Sequence, residues 1–134
     1  MNILPFHISF MVAACVAMLS GICAARFFGK KKWWFRTHKT LNLAAVGFLV
    51  LGLLSAVIMV QSSGGPHLRV PHGILGLITI LVSAAIPSLG FAIFKEKDKT
   101  KIPAREKTHR ISGRSAAVLM TATVISGLAL IGVF

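Results

Sequence analysis

Four of the five histidines stand at the start of four long apolar segments, one histidine to each segment. These four residues are His7, His38, His72 and His109. Neutral imidazole is a common ligand of iron, zinc and copper, so this placement predicts metal binding. Any one of these histidines alone is more simply explained as a polar residue at a membrane interface. Four at equivalent positions favour a shared function.

The apolar segments predict the elements that must position these histidines. Each holds 21 to 24 residues without an Asp, Glu or Lys, and the segments are Ile3 to Ala25, Thr40 to Val60, His72 to Phe94 and Ile111 to Phe134. At about 1.5 Å rise per residue, each is long enough as a helix to cross a hydrocarbon core of roughly 30 Å. The first segment has no basic residues before it, so we expect it to be a retained helix rather than a signal peptide.

Composition agrees, because 55% of the residues are apolar and only 13% are charged. The sequence therefore predicts an all-α integral membrane protein that forms an up-down four-helix transmembrane bundle. Its connections are too short to fold separately, so we expect one domain over residues 1–134. The helices are expected at about 3–28, 37–61, 70–95 and 106–133.

Charge predicts the orientation of this multi-pass protein. Of 15 Lys and Arg residues, 14 fall on the side shared by the first and third connections, and only Arg69 falls on the other. The positive-inside rule then places both termini on the outer side. The net charge of +12 is explained by topology and by attraction to lipid headgroups of the bilayer. We expect no nucleic-acid partner, because the basic stretches are short and directly flank the spans.

Alternating helix direction pairs the histidines. His7 and His72 open at the outer surface, whereas His38 and His109 open at the cytoplasmic surface. Diagonal helices of a bundle lie roughly 12 to 14 Å apart, a gap that suits an iron of haem held between two inward-pointing imidazoles. Zinc fits less well, because it usually takes three or four protein ligands. We therefore expect two haem irons, one near each surface.

Glycines at matched offsets support this interpretation. Gly21 and Gly52 each follow a histidine by 14 residues, and Gly90 and Gly127 each follow one by 18. Both offsets return to the same helix face, at the opposite end of the span. We expect Gly52 and Gly127 beside the outer pair and Gly21 and Gly90 beside the inner pair, leaving room for a flat macrocycle. Close packing of small residues between membrane helices is the alternative explanation.

Local sequence resembles the cytochrome b561 family of transmembrane dihaem proteins, especially domains that follow a dopamine-β-monooxygenase N-terminal-like module. The stretches that carry the resemblance cover essentially the whole chain, and they are Ala25-Arg26-Phe27, Trp34-Phe35-Arg36-Thr37-His38, His72-Gly73-Ile74-Leu75-Gly76 and His109-Arg110-Ile111-Ser112-Gly113. The resemblance implies two b-type haems, one ligated by His7 and His72 and the other by His38 and His109. It also implies electron transfer across the membrane from a cytoplasmic donor, often ascorbate, to an outer ferric, monodehydroascorbate or protein acceptor.

Further residues are expected around these haems. Arg36 and Arg110 lie beside inner ligands and are candidate partners of haem propionates. The resemblance places Arg26, Lys32 and Arg36 in a donor site. His67 and Arg69 are candidates for contacts on the outer side.

Other functions stay open at this point. The chain could be a transmembrane reductase, or a haem-bearing anchor that exchanges electrons between quinol and a soluble redox partner. A haem-free transporter or assembly protein is a third possibility, although the spans lack the acidic residue that proton or cation coupling usually needs. Members of the resembled family usually have further helices outside the four-helix core, so we expect a second copy or another subunit to cover exposed surfaces.

Overall fold

The protein is an antiparallel bundle of four long helices. The computed structural model describes residues 2–133, which form α1 (Leu4–Phe27), α2 (Trp34–Ser63), α3 (Pro71–Lys95) and α4 (Ile102–Leu130). Within those residues there is no strand, and all four helices are long and apolar enough to cross a membrane. The predicted all-α membrane fold is therefore confirmed.

The helix ends follow local chemistry. Val70 is extended, as expected for a residue before proline, and α3 begins directly after it at Pro71. Gly64, at φ 69°, ends α2 in the left-handed conformation that glycine adopts without steric cost. A proline also occupies the first turn of α4, at Pro103.

The helices pack as two hairpins. Helix α1 packs mainly against α2, and α3 packs mainly against α4, whereas the α1–α4 and α2–α3 interfaces are much sparser. We call α1 with α2 the N-terminal hairpin and α3 with α4 the C-terminal hairpin. The closest packing is therefore between the two helices of each hairpin.

The buried core lies at the middle of the bundle. Ala14, Ala45 and Ala116 are fully buried there, and Leu49 and Met120 pack with them. Ala14 is seven residues from both His7 and Gly21, the two predicted site residues of α1. A layer of packed side chains thus separates the two ends of the bundle.

Large apolar side chains cover the outside of the helices. Leu81 is 64% exposed and Val118 is 70% exposed, although both lie in the middle of their helices. A water-soluble protein would bury such residues, whereas lipid tails solvate them. The outer surface therefore fits a bilayer environment.

The acidic residues of the α3–α4 connection stabilise it through hydrogen bonds and ion pairs. Glu96 accepts a hydrogen bond from the backbone N–H of Asp98 and pairs with Arg105 at 2.6 Å. The hydrogen bond from the Asp98 amide has the largest effect, and together with the charge of Arg105 it holds the pKa of Glu96 below its ordinary value. Thr100 similarly holds the pKa of Asp98 below its ordinary value, and Asp98 pairs with Lys101 at 3.4 Å. The connection therefore keeps its carboxylates ionised and neutralises only two cations.

Candidate metal centres

Each of the four histidines lies in the N-terminal part of a different helix. His7 and His38 follow the first residue of α1 by three positions and of α2 by four, and His72 is the second residue of α3. His109 lies deeper, seven residues after the start of α4, because that helix begins before its membrane segment. All four are partly buried and face the interior of the bundle.

The bundle brings these histidines together in two pairs. The ring centres of His7 and His72 are 6.2 Å apart with the planes at 83°, and those of His38 and His109 are 6.1 Å apart at 84°. Each pair joins one histidine of the N-terminal hairpin to one of the C-terminal hairpin. We call them the His7–His72 pair and the His38–His109 pair.

Both separations match an iron bound on two sides. Two Fe–N bonds of about 2 Å, plus about 1 Å from each nitrogen to its ring centre, place the two ring centres about 6 Å apart. Within residues 2–133, no group of three or more His, Cys, Asp or Glu side chains is placed to hold a metal ion. Each pair can therefore supply two ligands, and a porphyrin would supply the other four.

Hydrogen bonds to Nδ1 determine which ring nitrogen is free. Nδ1 of His7 lies 2.9 Å from the carbonyl oxygen of Gly52, and Nδ1 of His38 lies 2.9 Å from that of Gly21. A carbonyl oxygen only accepts hydrogen bonds, so both rings carry their proton on Nδ1. Their Nε2 atoms keep a free lone pair, which is the form that a metal ligand requires.

His72 also carries its proton on Nδ1, but the acceptor of that proton is a side chain. Its Nδ1 lies 3.0 Å from Oγ of Ser126, and that hydroxyl donates its own proton to the carbonyl oxygen of Thr123 at 2.9 Å. The serine oxygen must then accept from the histidine. Nδ1 of His109, by contrast, is buried and has no hydrogen-bond partner within the described residues. Nδ1 of three of the four histidine rings thus has a well-placed acceptor, whereas His109 has only the nearby backbone carbonyl of Ile86.

The four matched glycines lie at the expected levels, but they adjoin the histidines in two different ways. A Cβ on Gly127 would lie 2.7 Å from Cε1 of His72, and one on Gly90 would lie 3.2 Å from Cε1 of His109. These two glycines make room for the imidazole rings themselves. A cavity of about 160 Å³ adjoins the His7–His72 pair and is lined by both histidines, Gly76 and Gly127, together with apolar side chains. Two imidazoles with free Nε2 lone pairs beside an apolar lining are the side chains that a bis-histidine haem would require at this pair.

The other two glycines accommodate side chains rather than open space. Met11 lies over Gly52, where its Cε would be 2.7 Å from an added Cβ, and Asn42 lies over Gly21. Asn42 donates to the carbonyl oxygen of His38 at 2.7 Å and lies 3.3 Å from Nδ1 of that ring. Because Nδ1 already donates to Gly21, the amide packs against the ring and does not bond to it.

An internal two-fold relation underlies both pairs. Positions 7 and 38 are 31 residues apart, and so are positions 21 and 52. Positions 72 and 109 are 37 residues apart, and so are positions 90 and 127. Within each hairpin, one helix therefore repeats the pattern of the other in the opposite direction. Met11 then corresponds to Asn42, and Leu89 corresponds to Ser126.

The predicted cationic residues lie on the surface. Arg26 is in the last turn of α1, Lys32 is in the α1–α2 connection, and Arg36 and Arg110 lie close to His38 and His109 in sequence. All four are exposed, and the two ion pairs found within residues 2–133 involve other cations. Their charges are available at the end of the bundle where the His38–His109 pair lies.

The two candidates at the opposite end are also exposed. His67 and Arg69 lie in the α2–α3 connection, and Nε2 of His67 is 3.4 Å from Oε1 of Gln61. In the described part of the chain, no hydrogen bond links His67 to His7 or His72. It is a surface residue near the end of the bundle that holds that pair.

Sequence analysis missed Met11, Asn42 and Ser126. Met11 and Asn42 each follow a histidine by four residues and so share its helix face, which is a signal present in the sequence. Ser126 precedes Gly127 but contacts a histidine 54 residues away. Only the packing of α4 against α3 makes that contact visible.

One comparison with known proteins found a match. The family model described as eukaryotic cytochrome b561 matches residues 6–134, nearly the whole chain. No curated protein and no solved structure matches the chain. The resemblance carried by the four short motifs is thereby confirmed.

Proposed function

The chain belongs to the cytochrome b561 family, and on that premise we propose that it holds two haems, one at each histidine pair, and passes electrons between the two membrane surfaces. Family membership makes it a transmembrane electron-transfer protein that binds haem b. The haem number, the ligand assignment and the sidedness belong to the proposal.

The observation that carries the proposal is the equal spacing of the two ring pairs. At 6.2 and 6.1 Å, both suit two axial imidazoles, and acceptors on Nδ1 of His7, His38 and His72 leave Nε2 free to bind. When bound, haem b supplies a one-electron centre. Two histidine ligands leave no open coordination position, which favours electron transfer over oxygen chemistry.

The remaining residues of the bundle orient and insulate the ligands. The carbonyl oxygens of Gly52 and Gly21 prevent rotation of His7 and His38 away from the bundle axis. The core around Ala14, Ala45 and Met120 excludes water between the two pairs. Electrons can cross such a layer without the movement of any charged side chain.

The two surfaces suit different redox partners. Arg26, Lys32 and Arg36 offer exposed positive charge beside the His38–His109 pair, which suits an anionic donor of the ascorbate class. Arg36 and Arg110 are in addition our candidates for binding haem propionates. The positive-inside rule makes this surface cytoplasmic and places both termini outside. His67 and Arg69 are the candidates for contacting an acceptor on the outer side.

Haem counting in single-histidine variants tests the proposal. The purified wild-type protein is expected to show dithionite-reducible b-type bands and, in a pyridine haemochromogen assay, two haems per chain. H38A and H109A should each lose the same haem and retain the other, because His38 and His109 together hold a single iron. H67A serves as the matched control and should keep both, since His67 is an exposed histidine of the α2–α3 connection.

The outcomes separate the parts of the proposal. A wild-type spectrum without b-type bands would overturn the function itself. Loss of both haems from H38A without unfolding, or retention of both, would overturn the pairing. One haem per wild-type chain would overturn the haem number.

A further inference from the structure

The internal two-fold relation singles out one position at which the two histidine pairs differ. Within the C-terminal hairpin, position i of α3 corresponds to position i + 37 of α4, so Gly90 corresponds to Gly127 and Leu89 to Ser126. His72 has an acceptor for its Nδ1–H in Ser126. His109 would find its equivalent at residue 89, where leucine offers no polar atom. The backbone does not distinguish the two rings, because the carbonyl of Thr123 lies near His72 and that of Ile86, its counterpart by the same offset, lies near His109. The Nδ1 of His109 makes no well-formed hydrogen bond within the described residues.

The orientation of the serine hydroxyl makes it an acceptor for the ring. Its proton goes to the carbonyl oxygen of Thr123 at 2.9 Å, so a lone pair faces Nδ1 of His72 at 3.0 Å. An imidazole whose Nδ1–H is shared with an acceptor is a more basic ligand at Nε2. A more basic ligand stabilises ferric over ferrous iron, which lowers the reduction potential of the metal.

On the basis of the proposed function, we propose that Ser126 is a positioning residue that lowers the reduction potential of the haem held by His7 and His72. The haem held by His38 and His109 lacks this contribution. The other hydrogen bonds do not cancel the difference, because the N-terminal hairpin supplies one backbone carbonyl to each pair at 2.9 Å. One hydroxyl thus distinguishes the surroundings of the His72 ring from those of the His109 ring.

A redox titration of the full-length protein in lipid nanodiscs tests this role. The absorbance of the reduced b-type band is followed against potential and resolved into two components. S126A is expected to move one component to a higher potential, and S126T, which keeps the hydroxyl, to leave it near the wild-type value. L89S introduces the hydroxyl at the equivalent position and should move the other component to a lower potential.

The control is S115A, which removes an exposed hydroxyl from α4 and should move neither component. If S126A keeps both haems and neither component moves, the proposal is overturned. If S126A loses a haem, L89S decides: a downward shift supports the proposal, and an unchanged component overturns it. Loss of haem in both variants also overturns it, because residues 89 and 126 would then control haem retention rather than reduction potential. A wild-type protein without reducible haem would instead overturn the proposed function.

Discussion

Gly127 and Gly90 have corresponding positions but different clearances. An added Cβ would lie 2.7 Å from Cε1 of His72 at Gly127 and 3.2 Å from Cε1 of His109 at Gly90. The first distance requires the ring to move, whereas the second can be relieved by a shift of a few tenths of an ångström. Overpacking of this kind typically costs about 1–3 kcal/mol.

We therefore expect G127A to lose haem from the His7–His72 pair and G90A to lose much less from the other. The measurement is the haem-to-protein ratio of each purified variant, together with the temperature at which the bound haem is released. G47A is the control, because Gly47 is exposed on α2 and a Cβ there would meet nothing within 4 Å. Wild-type haem content in G127A would show that His72 can move without losing the iron.

Residue types and spacing were enough to predict the two histidine pairs but not the hydrogen-bond partners of their rings. Four histidines stand at equivalent positions of four spans. Because helix direction alternates along the chain, these positions alone predict which two histidines share each end of the bundle. Hydroxyl residues close to the histidines in sequence, such as Thr37 and Thr108, are natural first candidates for the Nδ1 contacts. The partners are instead on neighbouring helices, and two of them are backbone carbonyls, which any residue type would provide.

Among the helices, we expect the two hairpins to depend on bound haem for their fixed arrangement. Contacts between the hairpins are sparse, and each pair takes one ligand from either hairpin. In lipid there is little hydrophobic driving force between helices, so a metal bridge across this interface has a large effect. We expect haem-free protein to keep its hairpins but to lose their fixed arrangement.

Pulsed electron–electron distance measurements check this expectation. In a background without Cys15 and Cys23, spin labels at Lys30 and Lys99 report on the distance between hairpins, since each residue is exposed in a different connection on the same side. That distance should broaden and lengthen when haem is withheld during expression. Labels at Asn2, which lies just before α1, and at Ser63, the last residue of α2, are the control, and the distance between them should not change. An unchanged Lys30–Lys99 distance would mean that helix packing alone holds the bundle together.

The existence and type of the elements could be predicted from sequence, whereas three of the helix ends, the start of α2 and both ends of α4, differ from expectation by three or four residues. Apolar length predicts where a chain can cross the membrane, but α4 begins at Ile102, four residues before the expected limit of 106. Pro103 is well suited to a first turn, and the Glu96–Arg105 pair anchors that turn outside the membrane. Hydropathy contains no information about such a polar extension, and the ion pair depends on the fold.

For the whole molecule, the dominant property is charge asymmetry. Fourteen of the 15 Lys and Arg residues belong to one end, and only two of them are neutralised by ion pairs within residues 2–133. A surface of this kind raises the local concentration of anions and accelerates their encounter. The end that holds the His38–His109 pair is therefore where we expect an anionic electron donor to act.

Two double variants, each of which removes two positive charges, distinguish a specific donor site from electrostatic attraction by the whole basic surface. R26Q/K32Q removes two charges beside the proposed donor site, and K97Q/K99Q removes two exposed charges from the other connection on the same side. We expect the first variant to slow the reduction of haem by ascorbate several-fold and to weaken its dependence on ionic strength, because the encounter is steered locally within a Debye length of about 8 Å. The second variant should have a much smaller effect. Stopped-flow absorbance on nanodisc-embedded protein measures both rates. Equal slowing in the two variants would mean that the whole basic surface attracts the donor and that Arg26 and Lys32 form no particular site.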